Sequence, residues 1–593
     1  MAKWFMAAKK ADFNKIAEQF HIDPVIARIM RNRDLITEEE MRSFLQGTLN
    51  DLHDPRKLKD VEKATSILKE KIEKQKKIRI IGDYDVDGIC STYVLYKGLK
   101  ACGAIVDAVI PHRMKDGYGI NEALVEQALA DGVDTILTCD NGIAAKDVLE
   151  QGKEKGLTCI VTDHHEVPYE EIEGEKVYII PDVDAVVDPK QENCPYPFEA
   201  ICGAVVAYKL IQVLLAECNV EDAVIVQIQR ELLEMAGIAT ICDIMPLKDE
   251  NRIIVKKALE YLKDSQNPGL KALIAVNELD ASKLTSFSIG FVIGPCINAT
   301  GRLDTAQLAL ELLQAENFEE AVPIASTLKE YNVNRKEMTE RGVEEAMALL
   351  ETGAYDSDRV LVLYLPEVHE SLAGIIAGRV KEKTGKPAFV LTKGEEGVKG
   401  SARSIENYSV YEEMTKCSHL FTKYGGHKMA AGLSLEERNV EPFRQLINAN
   451  CTLTEDDFEE KILIDVPMPM NYVNYRLIEQ LAILEPFGNG NEKPVFAQKN
   501  IVLKKGYRMG KKHNMARFEV LDEEGHSFTL VMFRGVERME AYLNEKYGEG
   551  TSRRLFSEDG ISGKELFMDI IYYPSVNEFR GKSTIQFLLQ DYK

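Results

Sequence analysis

Residues Ile80–Cys90 read IIGDYDVDGIC, and the stretch ends an apolar run with an acid at every second position. The acids are Asp83, Asp85 and Asp87. Two carboxylates about 4 Å apart repel each other by roughly 4 kcal/mol at an effective dielectric constant near 20. The acids therefore either point into water or share a bound cation, and the rest of the chain has to distinguish these alternatives.

The composition limits the class of protein. The chain has 593 residues, more than the roughly 250–300 that one hydrophobic core supports, so several domains are expected. The sequence contains no secretory signal and no run of 18 apolar residues, and its eleven cysteines form no Cys-x-x-Cys pair. This predicts a cytoplasmic protein with free thiols and no membrane anchor. The net charge of −23 argues against indiscriminate binding to nucleic acid, although not against a local basic groove.

From Lys77 to about Ile180, short apolar runs alternate with helical segments, with Gly between the units. This alternation predicts an α/β domain with a doubly wound parallel sheet, in which ligands bind beyond the carboxyl ends of the strands. Three predicted strands would bring acids and imidazoles to that edge, and a later helix ends close to one more acid. The side chains expected there are Asp83, Asp85, Asp87, Asp140, Asp163, His164, His165 and Asp243.

The remainder of the chain predicts three further parts. A long charged helix, broken only near Pro323, connects to a smaller α/β unit, and the C-terminal part has the strand order of an OB-fold β-barrel, which often binds oligonucleotides. The stretch 499–518 contains no acid, and its basic residues include Lys504, Lys505, Arg508, Lys511, Lys512 and Arg517. The predicted limits are an N-terminal segment over 1–55, a catalytic domain over 56–316, the connecting helix over 317–352, the second α/β domain over 353–450 and the barrel over 451–593.

Carboxylates with a minority of imidazoles favour Mg²⁺ or Mn²⁺ over a thiolate-rich zinc site. The acids outnumber the ligands that one ion needs, so two ions about 3.5–4 Å apart are expected, as in enzymes that clamp a phosphate between two metals. The alternative of a calcium loop is disfavoured, because an apolar helix follows DYDVDG where that loop needs a Glu.

The motifs DYDVDG, CDNG, TDHH and TICDIMPL together resemble the four successive motifs of the DHH phosphoesterase family. The later stretches GPCINATGRLD, GIIAGRV, GSARS, YGGHKMAAG and LEPFGNGNEKPVF narrow the resemblance to the single-strand-specific 5′→3′ DNA exonucleases of that family. The resemblance extends from about Leu52 onward. It implies a DHH domain, a DHH-associated domain and an OB-fold barrel, and an activity that releases mononucleotides in DNA repair and recombination.

The resemblance also implies roles for individual residues. Asp140 would bridge two Mn²⁺ or Mg²⁺ ions, Asp163 would orient imidazoles, and His165 would face the scissile phosphate or the attacking water. These three are the catalytic candidates. One ion would be held by Asp83, Asp85 and Asp140, and the other by Asp87, Asp140, His164 and Asp243.

The sequence departs from the family pattern at several positions. Ile81 stands where some relatives have a His, so the first ion depends more on Asp83. Cys296 replaces an Arg of the family's motif, and Thr300 replaces its second small residue. Arg302 is present, and phosphate contact is therefore assigned to Arg302 and not to position 296.

Basic and small residues predict a path for the strand. Arginine forks suit phosphate oxygens, and an aromatic ring stacks on a base. The alternatives are surface salt bridges for the arginines, a packing role for Tyr118 and a plain turn for the GGH stretch. The candidates are Arg113, Tyr118, Arg302, Arg379, Ser401, Arg403, Gly425, Gly426 and His427, together with the basic residues of the barrel.

Two other functions compete. One is a DHH phosphodiesterase of short oligoribonucleotides or cyclic dinucleotides, or an inorganic pyrophosphatase, which would have little use for an OB-fold barrel. The other is a non-catalytic single-strand-binding protein, which would gain nothing from carboxylates that repel each other. The expected partners are single-stranded DNA, a helicase and a single-strand-binding protein, with no membrane and a monomeric chain.

Overall fold

A computed structural model describes residues 2–113, 115–172, 174–394, 397–510, 513–561, 566–579 and 581–593. The strands are β1 (Lys3–Met6), β2 (Lys77–Ile81), β3 (Ile105–Val109), β4 (Thr135–Cys139), β5 (Thr158–Thr162), β6 (Tyr169–Ile172), β7 (Glu175–Tyr178), β8 (Ala185–Val187), β9 (Leu361–Tyr364), β10 (Ala388–Gly394), β11 (Gly397–Arg403), β12 (Phe421–His427), β13 (Ala430–Leu435), β14 (Lys461–Ile464), β15 (Val466–Pro467), β16 (Phe496–Met509), β17 (Met515–Leu521), β18 (Ser527–Met532), β19 (Phe567–Phe579) and β20 (Lys582–Tyr592).

The α-helices lie before, between and after these strands, and a π-helical turn (Ile289–Ile293) separates α12 from α13. They are α1 (Phe13–Phe20), α2 (Pro24–Asn32), α3 (Glu38–Gln46), α4 (Val61–Glu73), α5 (Val86–Ala101), α6 (Glu122–Ala130), α7 (Lys146–Glu154), α8 (Gly203–Glu217), α9 (Asp222–Cys242), α10 (Asp249–Tyr261), α11 (Pro268–Val276), α12 (Ser286–Ser288), α13 (Gly294–Leu303), α14 (Gln307–Gln314), α15 (Phe318–Glu351), α16 (Ala373–Thr384), α17 (Val410–Thr415), α18 (Val440–Asn450), α19 (Tyr475–Leu481), α20 (Val536–Tyr547) and α21 (Thr551–Leu555).

The contacts divide the chain into two compact units. One unit consists of Thr48–Phe458, and the other combines Met1–Gly47 with Glu459–Lys593. The five domain limits drawn from the sequence stay predictions. Among the described residues, no helix is long and apolar enough to cross a bilayer.

The larger unit is built on a parallel sheet of strand order β3-β2-β4-β5-β8. Both faces of this sheet are covered, because Ile80 lies in one apolar core while Ile81 lies in a second core on the other side. Burial on both faces explains why the strands are continuous apolar runs rather than alternating ones. The predicted doubly wound α/β fold is confirmed.

The second sheet of this unit has the order β12-β13-β11-β10-β9, with only the β9–β10 pair parallel. It follows α15, which runs unbroken for 34 residues. The predicted break at Pro323 is therefore wrong. Pro323 is the sixth residue of α15, and the carbonyl that loses its N–H partner belongs to Glu319, an exposed residue of the first turn that water can solvate.

The smaller unit contains a closed barrel. Its sheet order is β15-β16-β17-β18-β20-β19, and β16 also pairs with β19, which closes the ring. The predicted OB-fold barrel is confirmed. The apolar faces of α2 and α3 share the core of the barrel, with Ile26, Ile29 and Met30 fully buried. The N-terminal residues are thus an integral part of the unit that contains the barrel.

Candidate metal and phosphate site

The acids of DYDVDG surround the junction between β2 and α5. Asp83 follows the strand, Asp85 is the N-cap of α5 and accepts a hydrogen bond from the Gly88 amide at 3.0 Å, and Asp87 lies in the first helical turn. A side chain at Gly88 would place its Cβ 2.4 Å from the Asp83 carbonyl oxygen. Glycine at this position is therefore required for the tight turn that gathers the acids.

The neighbouring strands bring further ligands to the same edge. His164 Nε2 lies 3.0 Å from Asp140 Oδ1, 3.4 Å from Asp87 Oδ2 and 3.8 Å from Asp243 Oδ2. Three overlapping groups have ligand atoms within 4.8 Å of one another: Asp83, Asp85 and Asp140; Asp87, His164 and Asp243; and Asp140, His164 and His165. Asp140 and His164 each belong to two of these groups, so the three groups adjoin one another, and the bridging role of Asp140 stays a prediction.

The electrostatics of the cluster favour bound cations. Burial, reinforced by neighbouring acids, raises the pKa of Asp83 and of Asp243 to about 8 and raises the pKa of Asp140 well above its usual value. Among the described residues, Asp83 Oδ1, Asp140 Oδ1 and His164 Nδ1 are buried without a hydrogen-bond partner. Buried carboxylates that lack donors are what a divalent cation satisfies, so the residues fit Mn²⁺ or Mg²⁺.

The N-terminus of α8 holds Asp87 in place. The amide of Gly203 donates to Asp87 Oδ2 at 2.7 Å, and the amide of Ala204 donates to Asp87 Oδ1 at 2.8 Å. A Cβ on Gly203 would lie 2.9 Å from Asp140 Cβ. The positive end of the helix dipole thus stabilises one ligand while the missing side chain leaves room for the other.

His165 is oriented by Asp163. Its Nδ1 lies 2.8 Å from Asp163 Oδ1, which also accepts the amides of His164 and His165. Burial alone would lower the pKa of His165, but the hydrogen bond and the charge of Asp163 raise it to about 9. In Asp163 the effect of burial is likewise outweighed, and its pKa is lowered by His165 and by the amide of Ile143. Asp163 therefore orients His165, whereas it forms no bond to the ring of His164.

A cleft of about 540 Å³ adjoins the acids within the larger unit. Arg302 Nη1 donates to the Ser371 carbonyl at 2.8 Å, and Arg403 Nη1 donates to the Ala402 carbonyl at 2.8 Å. The residues predicted from the sequence that line this cleft are Arg113, Tyr118, Arg302, Ser401, Arg403 and Gly425.

The arginines of the cleft lie together without acidic partners. Burial, and then the charges of Arg113, Arg335 and Arg403, lower the pKa of Arg302 to about 10. Burial and the charge of Arg113 also lower the pKa of Arg403. No carboxylate lies within 4 Å of the Arg113, Arg302 or Arg403 guanidinium in the described part of the chain. A site of crowded, unpaired guanidinium groups is suited to an anion such as phosphate.

Several predicted contacts do not join this cleft. Arg379 pairs with Glu382 on the exposed face of α16, and His427 lies exposed at the end of β12. Gly426 has a φ of 149°, and a Cβ there would meet the Ala430 carbonyl at 2.5 Å, so the β12–β13 hairpin requires glycine there, and its contact with nucleic acid stays a prediction. Tyr118, by contrast, lines the cleft: its hydroxyl donates to the Asp140 carbonyl at 3.0 Å while the residue stays 51% exposed, so base stacking stays a prediction.

The basic stretch of the barrel is partly paired with acids from outside it. Arg508 forms an ion pair with Glu540, and Lys505 donates to the Glu558 carbonyl. These acceptors come from α20 and the following loop, which are distant in sequence, and the predicted role of the stretch in nucleic-acid binding stays a prediction. Lys504 lies on β16 in the same stretch, whereas Lys511 and Lys512 lie outside the described residues.

Some residues of the site were not predicted. Tyr84, between two of the acids, lines the cleft with the Arg113 guanidinium 4.8 Å from its ring centre. Lys399 and Lys423 also line the cleft. The position of Tyr84 inside DYDVDG was the available signal, whereas the contribution of Gly203 depends on the packing of α8 and left no sequence signal.

Three parts of the chain match known domain families. Residues 77–240 match the DHH family N-terminal domain, residues 357–452 match the DHHA1 domain, and residues 464–591 match the RecJ OB domain. The chain is 30% identical over 587 residues to the single-stranded-DNA-specific exonuclease RecJ of Haemophilus influenzae, with 96% of each chain covered. This chain belongs to the RecJ family.

Other members of the RecJ family support the same assignment. The chain is 36% identical over 512 residues to the RecJ of Bacillus subtilis, covering 86% of this chain and 63% of that one. The crystal structure of Thermus thermophilus RecJ in complex with Mn²⁺ superposes with a TM-score of 0.80 at 25% identity, covering 100% of this chain and 79% of that one.

Two residues that depart from the RecJ family pattern, Cys296 and Ile81, are both buried. Cys296 is buried, and its sulfur lies 3.4 Å from Asn332 Nδ2 and 3.8 Å from Asn277 Oδ1, away from the cleft. The side chain of Ile81 is fully buried in the second apolar core. Neither side chain contacts the site in this RecJ-family chain.

Proposed function

We propose that this protein is a single-strand-specific 5′→3′ DNA exonuclease that hydrolyses phosphodiester bonds with two Mn²⁺ or Mg²⁺ ions and releases 5′-mononucleotides. The observation that supports it best is the position of the acid-rich cluster around Asp140 and His164 beside the unpaired arginines of the cleft. An acidic cluster alone would bind cations, and an arginine cleft alone would bind any anion. Their adjacency suits a phosphate ester held for cleavage.

The ligand roles remain those that the family resemblance implies. Asp83, Asp85 and Asp140 would hold one ion, and Asp87, Asp140, His164 and Asp243 would hold the other. When bound, such a pair of ions lowers the pKa of water and neutralises charge on the phosphate oxygens. Two backbone amides at the α8 N-terminus hold the Asp87 carboxylate, so the position of this ligand is set by the protein and not by the ions alone.

His165 is the candidate for contact with the scissile phosphate. Its imidazole is partly exposed and lies 4.0 Å from Asp140 Oδ1, while Asp163 fixes its Nδ1. Because Asp163 accepts from Nδ1, the other ring nitrogen, Nε2, is left to face an anionic oxygen of the substrate. In this proposal Asp163 is a positioning residue, and Asp140 and His165 contact the reacting groups.

The arginine cleft supports cleavage from a strand end. A terminal phosphate carries more negative charge than a phosphodiester, so a site with Arg113, Arg302 and Arg403 prefers the end of the strand to its middle. Anchoring the 5′ phosphate there would place the first phosphodiester at the metal cluster. The β-barrel would hold the trailing strand through basic side chains of the stretch 499–518.

The proposed partners and location follow from the substrate. A single-strand-specific enzyme needs a helicase to separate duplex DNA and meets strands coated with a single-strand-binding protein. We propose both as partners of a monomeric chain that acts on DNA in the cytoplasm.

The test uses oligonucleotides labelled at the 5′ or the 3′ end, in single-stranded and blunt duplex form, with Mn²⁺ or Mg²⁺. We expect mononucleotide release from the 5′ end of the single strand, and slower cleavage when the 5′ phosphate is absent. Equal activity on blunt duplex, or loss from the 3′ end, would overturn the proposal. Activity confined to dinucleotides or cyclic dinucleotides would instead favour a small-molecule phosphodiesterase.

A further inference from the structure

Two phenylalanines are exposed side by side on the larger unit. Phe287 and Phe291 are 64% and 61% exposed, and their rings stack at 4.6 Å between centroids with an interplanar angle of 22°. Their helical neighbours Ile289 and Ile293 are buried, so the two aromatics belong to the outward face. A contiguous exposed aromatic surface forgoes burial of apolar area and typically marks a binding site.

Phe291 lies in the π-helical turn, a feature frequent at functional sites, and Phe287 lies in α12 just before it. This turn packs closely on the end of α9, where Asp243 follows. A Cβ on Gly294 would lie 2.4 Å from Cys242 Sγ, and a Cβ on Gly290 would lie 3.4 Å from Ile241 Cγ2. The aromatic pair is thus held next to the helix end that bears a ligand of the metal cluster.

The residue after Asp243 is also apolar and exposed, just beyond the helix end on which the π-helical turn packs. Ile244 is 70% exposed and has a φ of 56°. A β-branched residue in the left-handed region costs about 1–3 kcal/mol, and such strain persists mainly at ligand-binding and catalytic sites. An exposed isoleucine in this conformation is difficult to explain by stability.

We infer that Phe287, Phe291 and Ile244 form a platform on which bases of the single strand stack after the strand passes the metal cluster. The inference rests on the proposed function and specifies how the strand is held. The same helical stretch carries Arg302 near its far end, roughly 22 Å from Phe287 at 1.5 Å per residue, a length that spans several nucleotides. The strand would therefore run from the arginine cleft, past the metal cluster, to the aromatic platform.

Nucleobases suit this surface better than a protein partner does. Every base has a flat π-face, and stacking on an aromatic side chain does not depend on the sequence. The arginines at one end of the stretch attract the phosphates of the same strand. A second copy of this chain is the competing occupant, because two apolar faces could also cover each other.

The experiment compares F287A/F291A with wild type on a single-stranded oligonucleotide of about 20 nucleotides, longer than one OB-fold site, and on a dinucleotide. F318A is the matched control, since Phe318 is 46% exposed on the same unit but lies at the start of α15. F287L/F291L keeps apolar area without the aromatic face. A parallel oligonucleotide carries abasic residues over its first third, which removes bases while leaving phosphates.

We expect F287A/F291A to raise the KM for the long strand by roughly fivefold to a hundredfold, with the dinucleotide unaffected. The leucine variant should lose nearly as much, and F318A nothing. Abasic substitution should weaken binding to wild type but add no further loss in F287A/F291A. An equal loss from abasic substitution in both proteins, or an unchanged KM, would overturn the inference.

Two further outcomes are distinguishable. If wild type cleaves no single strand, the proposed function fails, and fluorescence anisotropy with the same oligonucleotides on a D140N background still tests the platform. If wild type forms a dimer in sedimentation that F287A/F291A abolishes while strand binding is unchanged, the surface belongs to a second copy and the inference is wrong.

Discussion

At the scale of single residues, the site is dominated by groups that are unfavourable without a ligand. Asp140 is the clearest case, because it is buried, follows β4 with a φ of 59° and belongs to two of the ligand groups. A non-glycine residue in this backbone region and a buried carboxylate among other acids both cost free energy. Cations bound to the shared carboxylate would offset that cost.

Replacing Asp140 by Asn should separate stability from activity. D140N removes one negative charge from the cluster, so we expect the metal-free variant to unfold at a higher temperature than metal-free wild type. Mn²⁺ should stabilise wild type and have little effect on D140N. Exonuclease activity should fall by ~10³-fold or more, as expected when transition-state charge stabilisation of about 4 kcal/mol is lost, while strand binding persists.

D147N is the matched control, since Asp147 is exposed on α7 and outside the cluster. Thermal unfolding with and without Mn²⁺, together with strand degradation, measures the separation. Retained cleavage in D140N would contradict the bridging role.

A second residue-scale prediction concerns the buried Glu234, which lies outside the metal cluster and accepts a hydrogen bond from Ser265 Oγ. Burial raises its pKa to about 7; Ser265 and Arg230 act in the opposite direction, and Glu231 and Asp264 raise it further. Because the folded state then holds a proton that the unfolded state has released, stability is lost as pH rises from about 4.5 to about 7.

Replacing Glu234 by Gln should remove this slope. The Gln side chain still accepts the hydrogen bond of Ser265 but does not titrate, so E234Q should gain on the order of 2–3 kcal/mol relative to wild type between pH 5 and pH 7. Urea denaturation at several pH values is the measurement. Parallel curves for the two proteins would mean that Glu234 is ionised throughout this range.

At the scale of elements, the site is assembled where secondary structures begin and end. Strands β2, β4 and β5 end at the acids, and helices α5 and α8 begin at Asp85 and Gly203. Parallel strands bring their carboxyl ends to one edge, so the meeting of Asp83, Asp140 and His164 followed from the sequence pattern. The approach of α8 did not, because it depends on packing between segments more than a hundred residues apart.

The N-terminus of α8 gives an element-scale prediction. G203A adds a Cβ 2.9 Å from Asp140 Cβ, which would displace either the helix end or the ligand. We expect Mn²⁺ affinity to fall by about 10–100-fold, the range typical when groups that orient ligands are altered, with a corresponding loss of activity at limiting metal. Isothermal titration with Mn²⁺ measures the affinity.

G152A provides the comparison for this change. Gly152 lies inside α7, where an added Cβ would have ordinary contacts beginning at 3.5 Å, so this variant should bind Mn²⁺ as wild type does and gain helix propensity. If G203A also bound Mn²⁺ with the affinity of wild type, the close approach of Gly203 to Asp140 would not be needed for metal binding.

At the scale of the whole molecule, the sequence predicted the parallel sheet, the second α/β unit and the barrel because each has its own hydrophobic period. It did not predict that the N-terminal helices share the core of the barrel. Their amphipathic pattern shows that α2 has an apolar face, but not which surface covers it. A loop contact also joins the N-terminal helices to the C-terminal part of the same unit. Arg33 donates to Asn491 Oδ1 and to the Glu492 carbonyl, both in the LEPFGNGNEKPVF stretch.

The core shared by the N-terminal helices and the barrel predicts which fragments of the chain fold. The fragment Thr48–Phe458 keeps its cores complete, so it should unfold cooperatively, bind Mn²⁺ and cleave dinucleotides as the full chain does. Without the barrel, its KM for long single strands should rise more than its KM for short ones.

Removing only Glu459–Lys593 instead leaves Ile26, Ile29 and Met30 without their covering core, so that fragment should aggregate or lose its N-terminal helices. Circular dichroism, light scattering and length-dependent kinetics compare the two fragments. A well-behaved second fragment would contradict the shared core, and an unchanged length dependence in the first would remove the barrel from strand binding.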